Sequence, residues 1–132
     1  MEITIDPSAV LAVLLNESSK SSLIRCTEEA DLQAPPSLSW EVGNALSALM
    51  IRGHLDVTQA QIALVSFESI PIRLTDVELA PCVELAARHQ IYAYDAYVIE
   101  CAKRYRTPLL SLDARQCAVA RLEGVQLIEV KS

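Results

Sequence analysis

The chain has 132 residues, 52% of them apolar and 21% charged, which points to one globular domain with a core of its own and excludes disorder. Three glycines and six prolines exclude collagen-like and linker-like classes. A net charge of −6 excludes a protein that grips nucleic acid by bulk charge alone, and that charge is uneven: residues 1–80 carry 11 acids against 4 bases, residues 81–132 carry 6 against 7.

Cys26, Cys82, Cys101 and Cys117 include no C-x-x-C pair and lie among apolar neighbours. They read as buried small hydrophobes of a reducing compartment. The amino-terminal residues Met-Glu-Ile-Thr-Ile-Asp lack the basic region of a secretory signal. The uncharged stretch that follows, residues 7–16, is shorter than the roughly 20 residues a membrane span requires. The expectation is a soluble cytoplasmic protein with no membrane association.

Residues 2–5 are short and β-prone, and Asp6-Pro7-Ser8 ends them. Asp before Pro favours a helix start, which predicts a helix through about Leu15. Residues 18–30 read as a second helix and 32–34 as a short strand stopped by Pro35-Pro36. Val42, Ala45, Leu46, Leu49 and Met50 then recur at helical spacing, an amphipathic helix ending near Gly53. Residues 57–69 predict another helix. Residues 70–74 contain a proline and so form an edge strand or none.

Leu79, Cys82, Val83 and Ala86 mark a further helix, and Val98, Cys101, Ala102 and Tyr105 the next. Residues 108–112 read as a buried strand, 114–122 as a helix ended by Gly124, and 125–130 as a closing strand. Strands alternating with helices predict an α/β fold with a central parallel sheet of four to five strands flanked by helices.

In such a sheet ligands bind outside the carboxyl ends of the strands. Asp6 and Asp113 stand where strands become helices, and Asp95 and Glu41 stand in or near the first turns of their helices. All four carboxylates are therefore expected on one rim. Each Asp read singly also fits a cap: Asp6 precedes Pro7, and Asp113 with Gln116 resembles a capping box. Glu41 is not explained that way, because Ser37 and Ser39 already supply capping oxygens. Asp95 shares a face with core residues, where an unpaired carboxylate is costly.

Four crowded carboxylates repel and raise one another's pKa. A hard divalent cation resolves that repulsion, and an all-oxygen cluster without His or Cys favours Mg²⁺ or Mn²⁺ over Zn²⁺. Such a cation would bind phosphate, activate water and stabilise a leaving oxygen.

Three segments in this order, IDPSAVLAVL (residues 5–14), WEVGNAL (40–46) and AYDAYVIECAKRYRTPLLSLD (93–113), resemble the PIN-domain ribonucleases. They are most similar to the toxins of VapBC-type toxin–antitoxin pairs. The resemblance runs over essentially the whole chain. It implies a single PIN-like domain spanning residues 1–132 that hydrolyses RNA with a divalent metal. The family's four acids fall on Asp6, Glu41, Asp95 and Asp113 as catalytic residues and metal ligands, and its supporting polar positions fall on Asn44 and Ser111.

Ser111 stands where the family usually has Thr, which keeps the hydroxyl. No acid follows Asp113 within four residues, which leaves the number of metals open. The resemblance also implies a homodimer held inactive by an antitoxin whose tail occupies the acidic groove. A nuclease of RNA processing outside a toxin pair and a non-catalytic α/β binding module are the alternatives. A receiver-type phosphoacceptor fits less well, because Asp6 has no acidic neighbour.

Lys103, Arg104 and Arg106 form the one basic cluster. They either complement a helix dipole or contact RNA phosphates beside the site, with Arg115 as a further phosphate contact. His54 and His89 read as surface residues at helix ends. Ser8 has no His base to make it a nucleophile. Trp40, next to Glu41, reads as a core wedge rather than a base-stacking platform.

Overall fold

In the computed structural model, which describes residues 1–131, strand and helix alternate as the hydrophobic pattern requires. β1 (Glu2–Ile5) leads into α1 (Pro7–Leu14) and α2 (Lys20–Thr27), and β2 (Asp31–Ala34) into α3 (Leu38–Ile51) and α4 (Val57–Ser69). β3 (Ile72–Leu74) leads into α5 (Leu79–His89) and α6 (Ala93–Tyr105), and β4 (Leu109–Leu110) into α7 (Ala114–Leu122). The described strands form one sheet in the order β3-β2-β1-β4, with every pairing parallel. Parallel neighbours cannot be joined by tight turns, and each crossover here is a pair of helices. No helix among the described residues is long and apolar enough to cross a membrane.

The two faces of the sheet carry separate cores. Ile3, Ile5 and Leu110 pack with Val10, Leu23, Val42 and Leu46 from α1 to α3, and with Ala60 and Ala63 of α4. Leu109 packs on the other face with Leu85, Val98, Ile99 and Val119 from α5 to α7. Successive residues of a strand point to opposite faces, so the adjacent Leu109 and Leu110 serve different cores. Cys82 and Cys101 are buried, Cys26 and Cys117 half-buried, and all four are free thiols. Burial pushes the Cys82 thiol up to about 11, which keeps it inert.

The predicted closing strand is not formed. Residues 125–130 make a single parallel bridge, Leu109 to Leu127, with Leu109 N donating to the Gln126 carbonyl and Ile128 N to the Leu109 carbonyl, both at 2.9 Å. β4 is only two residues long, Leu109–Leu110, and of these Leu109 alone bridges outward. The sheet thus has four strands among the described residues. β3 is the edge strand that Pro71 demanded. α2 is shorter than residues 18–30, because Thr27 turns its hydroxyl back onto the Leu23 carbonyl at 2.8 Å and the helix stops there.

Beneath α6 the sheet is polar. Thr4 and Gln33 are buried on neighbouring strands, and Gln33 Nε2 donates to Thr4 Oγ1 at 3.0 Å. The Thr4 and Thr107 hydroxyls share a hydrogen bond at 2.6 Å, and Thr75 and Cys101 share another at 3.1 Å. Thr4→Val keeps the shape but strands the Gln33 amide and the Thr107 hydroxyl. The expected cost is about 1–3 kcal/mol, read as a lower urea midpoint at unchanged slope, with Thr4→Ser close to the parent protein.

Candidate active site

The strand order turns at β1: the chain steps from β1 to β2 and β3 on one side, then returns to β4 on the other. The crevice outside the carboxyl ends of β1 and β4 is therefore the switch point where open α/β sheets bind ligands. Asp6 ends β1 and Asp113 follows β4, one on each side of it. Each caps the helix it precedes. Ala9 N donates to Asp6 Oδ1 at 3.1 Å, and Gln116 N donates to Asp113 Oδ1 at 2.9 Å.

Capping is only part of what Asp6 does. The side chain is buried, with 3% of the residue exposed. Ser8 Oγ donates to the carboxylate, lying 2.7 and 2.9 Å from its two oxygens, and Ser111 Oγ donates to Oδ2 at 2.7 Å. Both hydroxyls accept from backbone beyond β4: Leu112 N donates to Ser8 Oγ at 2.9 Å, and Asp113 N to Ser111 Oγ at 3.1 Å. One carboxylate and two hydroxyls thereby lock the end of β1 to the end of β4. Burial raises the Asp6 pKa and the Asp113 charge adds to the rise, while the hydrogen bonds from Ser111, Ser8 and Ala9 oppose it.

Buried Gln116 ties in the third acid. Its Nε2 donates to the Asp95 carbonyl at 3.2 Å, and its Oε1 lies 3.1 Å from Ser111 Oγ. The capping box read from the sequence is thus half formed, since Asp113 N donates to Ser111 and not to the Gln116 side chain. Asp95 lies in the first turn of α6, and its pKa is raised by burial and then by Asp113, against the pull of Arg115. Glu41 lies in the first turn of α3. Ser37 does not cap that helix; its hydroxyl donates to Glu41 Oε2 at 3.1 Å. Burial, with the charges of Asp95 and Asp6, pushes Glu41 up to about 7 despite that bond.

The acids lie within reach of one another's charge: Asp113 acts on Asp6 and Asp95, and Asp95 and Asp6 act on Glu41. As their side chains stand, no three acidic, His or Cys groups among the described residues close around a common point. The donor set still fits a hard divalent cation: it is all oxygen, and beyond the burial that chiefly raises these pKa values, acidic neighbours add to the rise at Asp6, Glu41 and Asp95.

Asn44 is exposed beside Glu41, in a cleft of about 230 Å³ lined also by Pro7, Trp40, Ala45 and Tyr94. Trp40 is not a core wedge; it is 71% exposed. α3 starts at Leu38, ahead of the apolar stripe, and buries Leu38, Val42 and Leu46 at four-residue steps, which leaves Trp40 on the opposite face.

The basic cluster lies at the far end of α6 from Asp95, about 12 Å away along the axis from Asp95 to Lys103. Lys103 pairs with Glu123 at 2.8 Å, and Arg104 donates to the Asp76 carbonyl at 3.2 Å. Arg106 closes the helix in the left-handed region at φ 54°. Glu123 is also bonded by Arg88 and His89, which with Lys103 hold its pKa down to about 2. Arg115 is the base placed at the rim, where it donates to the Gln90 carbonyl at 2.9 Å and its charge reaches Asp95. His54 is exposed, as expected.

The roles of Ser8, Ser37 and Gln116 were absent from the sequence reading. Two had a local signal, since a Ser two residues after an N-cap Asp, or four before a helical Glu, is within reach of its carboxylate.

Acids gathered at the switch point of a parallel α/β sheet define an α/β domain with an acidic ligand crevice. The PIN domain profile matches residues 3–122, and the chain belongs to that family of nucleases. No curated protein matches it by sequence. Among solved structures it is similar to PAE2754 from Pyrobaculum aerophilum, with TM-score 0.70 and 22% identity over 90% of this chain and 79% of that one. It is also similar to VapBC2 from Rickettsia felis bound to a promoter DNA fragment, with TM-score 0.69 and 13% identity over 99% and 100% of the two chains. A third is VapC20 from Mycobacterium tuberculosis, a Sarcin-Ricin loop cleaving toxin, with TM-score 0.63 and 14% identity over 88% and 93%.

Glu41 provides a pH test. Its folded pKa of about 7 exceeds the ordinary 4.5, so its stabilising share is complete below 4.5 and is lost as pH rises through 7. In chelator the melting temperature is expected to fall between about pH 5 and pH 8. Glu41→Gln, neutral throughout and still able to accept from Ser37, should flatten that decline.

Proposed function

We propose that this PIN-domain chain is a divalent-metal-dependent endoribonuclease and the toxin of a toxin–antitoxin pair. The observation that supports the reading is that the charges of Asp6, Glu41, Asp95 and Asp113 act on acidic neighbours beside the β1–β4 switch point. A reading of the acids as caps alone accounts for Asp6 and Asp113. It leaves out Glu41 and Asp95, which cap nothing and are half-buried beside like charges. The likeness to an RNA-cleaving toxin supports RNA as substrate, and the likeness to VapBC2 supports an antitoxin partner. An exposed apolar stretch of α4, with Ile62 and Val65, supports a protein partner in general, whether antitoxin or second copy.

Asp6, Asp95 and Asp113, with Glu41, are the residues that would hold Mg²⁺ or Mn²⁺. The cation would neutralise phosphate oxygens and make water more acidic. Asp6 is fixed before any ligand arrives, because Ser8, Ser111 and Ala9 N hold both its oxygens. Glu41 would either complete that ligand set or orient a water through Oε1, the oxygen that Ser37 does not hold. Arg115 is the base positioned to meet a phosphate at the rim.

Asp6→Asn is expected to fold, since Asn caps as well as Asp and the Ser111 proton can turn to Gln116 Oε1. It should abolish cleavage of RNA. Ser111→Ala, which removes the hydroxyl that serves Asp6, Asp113 N and Gln116 but no acid, should lose roughly ten- to hundredfold. Mg²⁺ should raise the melting temperature of the parent chain by mass action and leave an Asp6→Asn, Asp95→Asn double variant unmoved. A chain that cleaves RNA equally well in chelator, or with Asn at position 6, overturns the assignment.

A further inference from the structure

The most exposed aromatic side chains among the described residues are Tyr92 at 86%, Trp40 at 71% and Tyr94 at 53%. All three sit at the amino-terminal ends of the two helices that deliver Glu41 and Asp95. Trp40 precedes Glu41 in the first turn of α3, while Tyr92 and Tyr94 flank the start of α6. Large apolar faces are costly to leave in water and commonly mark binding sites. Trp40 and Tyr94 are two walls of the 230 Å³ cleft, and Glu41 is a third. Tyr94 is braced from behind by an edge-to-face contact with Tyr97, at 5.7 Å between ring centres.

We propose that this cleft is a nucleobase subsite: an unpaired base of the substrate RNA stacks on the Trp40 indole, with Tyr94 at its side, and so sets the adjoining phosphodiester against the acidic rim. The proposal rests on the ribonuclease reading and specifies how the substrate is held. The charge of the chain makes such a contact necessary. Around the acids only Arg115 is placed to meet a phosphate, and Lys103 is paired with Glu123. Ionic contacts are thus scarce where the chain is most acidic. Stacking needs no charge, accepts any base because every base has a π-face, and is available only where bases are unpaired. The cleft also suits a planar ring better than a protein side chain. Apart from Pro7 and Ala45 its lining is aromatic or polar, with two aromatic rings, whereas the groove of about 470 Å³ near α4 has no aromatic residue in its lining.

Trp40 is the only tryptophan in the chain, so its fluorescence reports this cleft directly. In Asp6→Asn protein with Mg²⁺, a short single-stranded oligoribonucleotide should quench that emission, and the same RNA made abasic should not. Trp40→Ala should weaken RNA binding, measured by anisotropy of labelled RNA, on the order of tenfold, without changing the slope of affinity against salt. Trp40→Phe should restore most of the loss. In the active background Trp40→Ala should raise KM far more than it lowers kcat. Tyr94→Ala should repeat the pattern more weakly, which guards against an effect confined to one variant. RNA that binds without quenching, or binds Trp40→Ala as tightly as the parent, overturns the subsite and leaves the surface to a protein partner. A parent chain that neither binds nor cleaves RNA overturns the nuclease reading, and the subsite with it.

Discussion

The arrangement of this protein depends on one buried carboxylate. Asp6 ends the strand that has neighbours on both sides, caps the helix that follows, and accepts from hydroxyls on both sides of the switch point. Ser8 and Ser111 carry the connection onward to the backbone at Leu112 and Asp113, so the loops after β1 and β4 cannot part without breaking it. A carboxylate so deeply buried is tolerable because both of its oxygens accept hydrogen bonds. Its hydrogen bonds offset its desolvation and at the same time fix its direction.

The lock sits where the sheet is shortest: Ser111, which serves Asp6, directly follows the two-residue β4, and the segment after α7 makes a single bridge on the outer edge of that strand. Gln116 joins from α7, and its contacts place Asp113 and the backbone of Asp95 in one connected group. Preorganisation of this kind holds a site together while its like charges push apart.

Charge is distributed accordingly. Glu123, at the other end of α6, collects Arg88, His89 and Lys103 and holds them in a knot of ion pairs. Bases that could have neutralised the rim stand elsewhere, and the rim stays acidic with only Arg115 in reach. The arrangement leaves electrostatic room for a cation and places the exposed rings of Trp40 and Tyr94 where phosphate contacts are few.

Much of this was legible in the linear sequence, for a local reason. Asp6-Pro7, the stripe from Val42 to Met50, the Pro71 edge and the Asp113 start of α7 all act within one or two turns of chain, where spacing and capping chemistry decide the outcome. The alternation of strand and helix then required a parallel sheet, and a parallel sheet put the strand ends that carry Asp6 and Asp113 on one rim. What lay beyond reach depends on residues far apart in sequence. That Ser111 serves Asp6, that Gln116 serves Asp95, and that Lys103 is claimed by Glu123 are contacts 105, 21 and 20 residues apart. Trp40 belongs with them, because its side of α3 was set by where that helix starts against the sheet. The sequence by itself determined which side chains could do the chemistry; only tertiary packing decided which of them meet, since hydrogen bonds and ion pairs go to the partner that folding brings nearest.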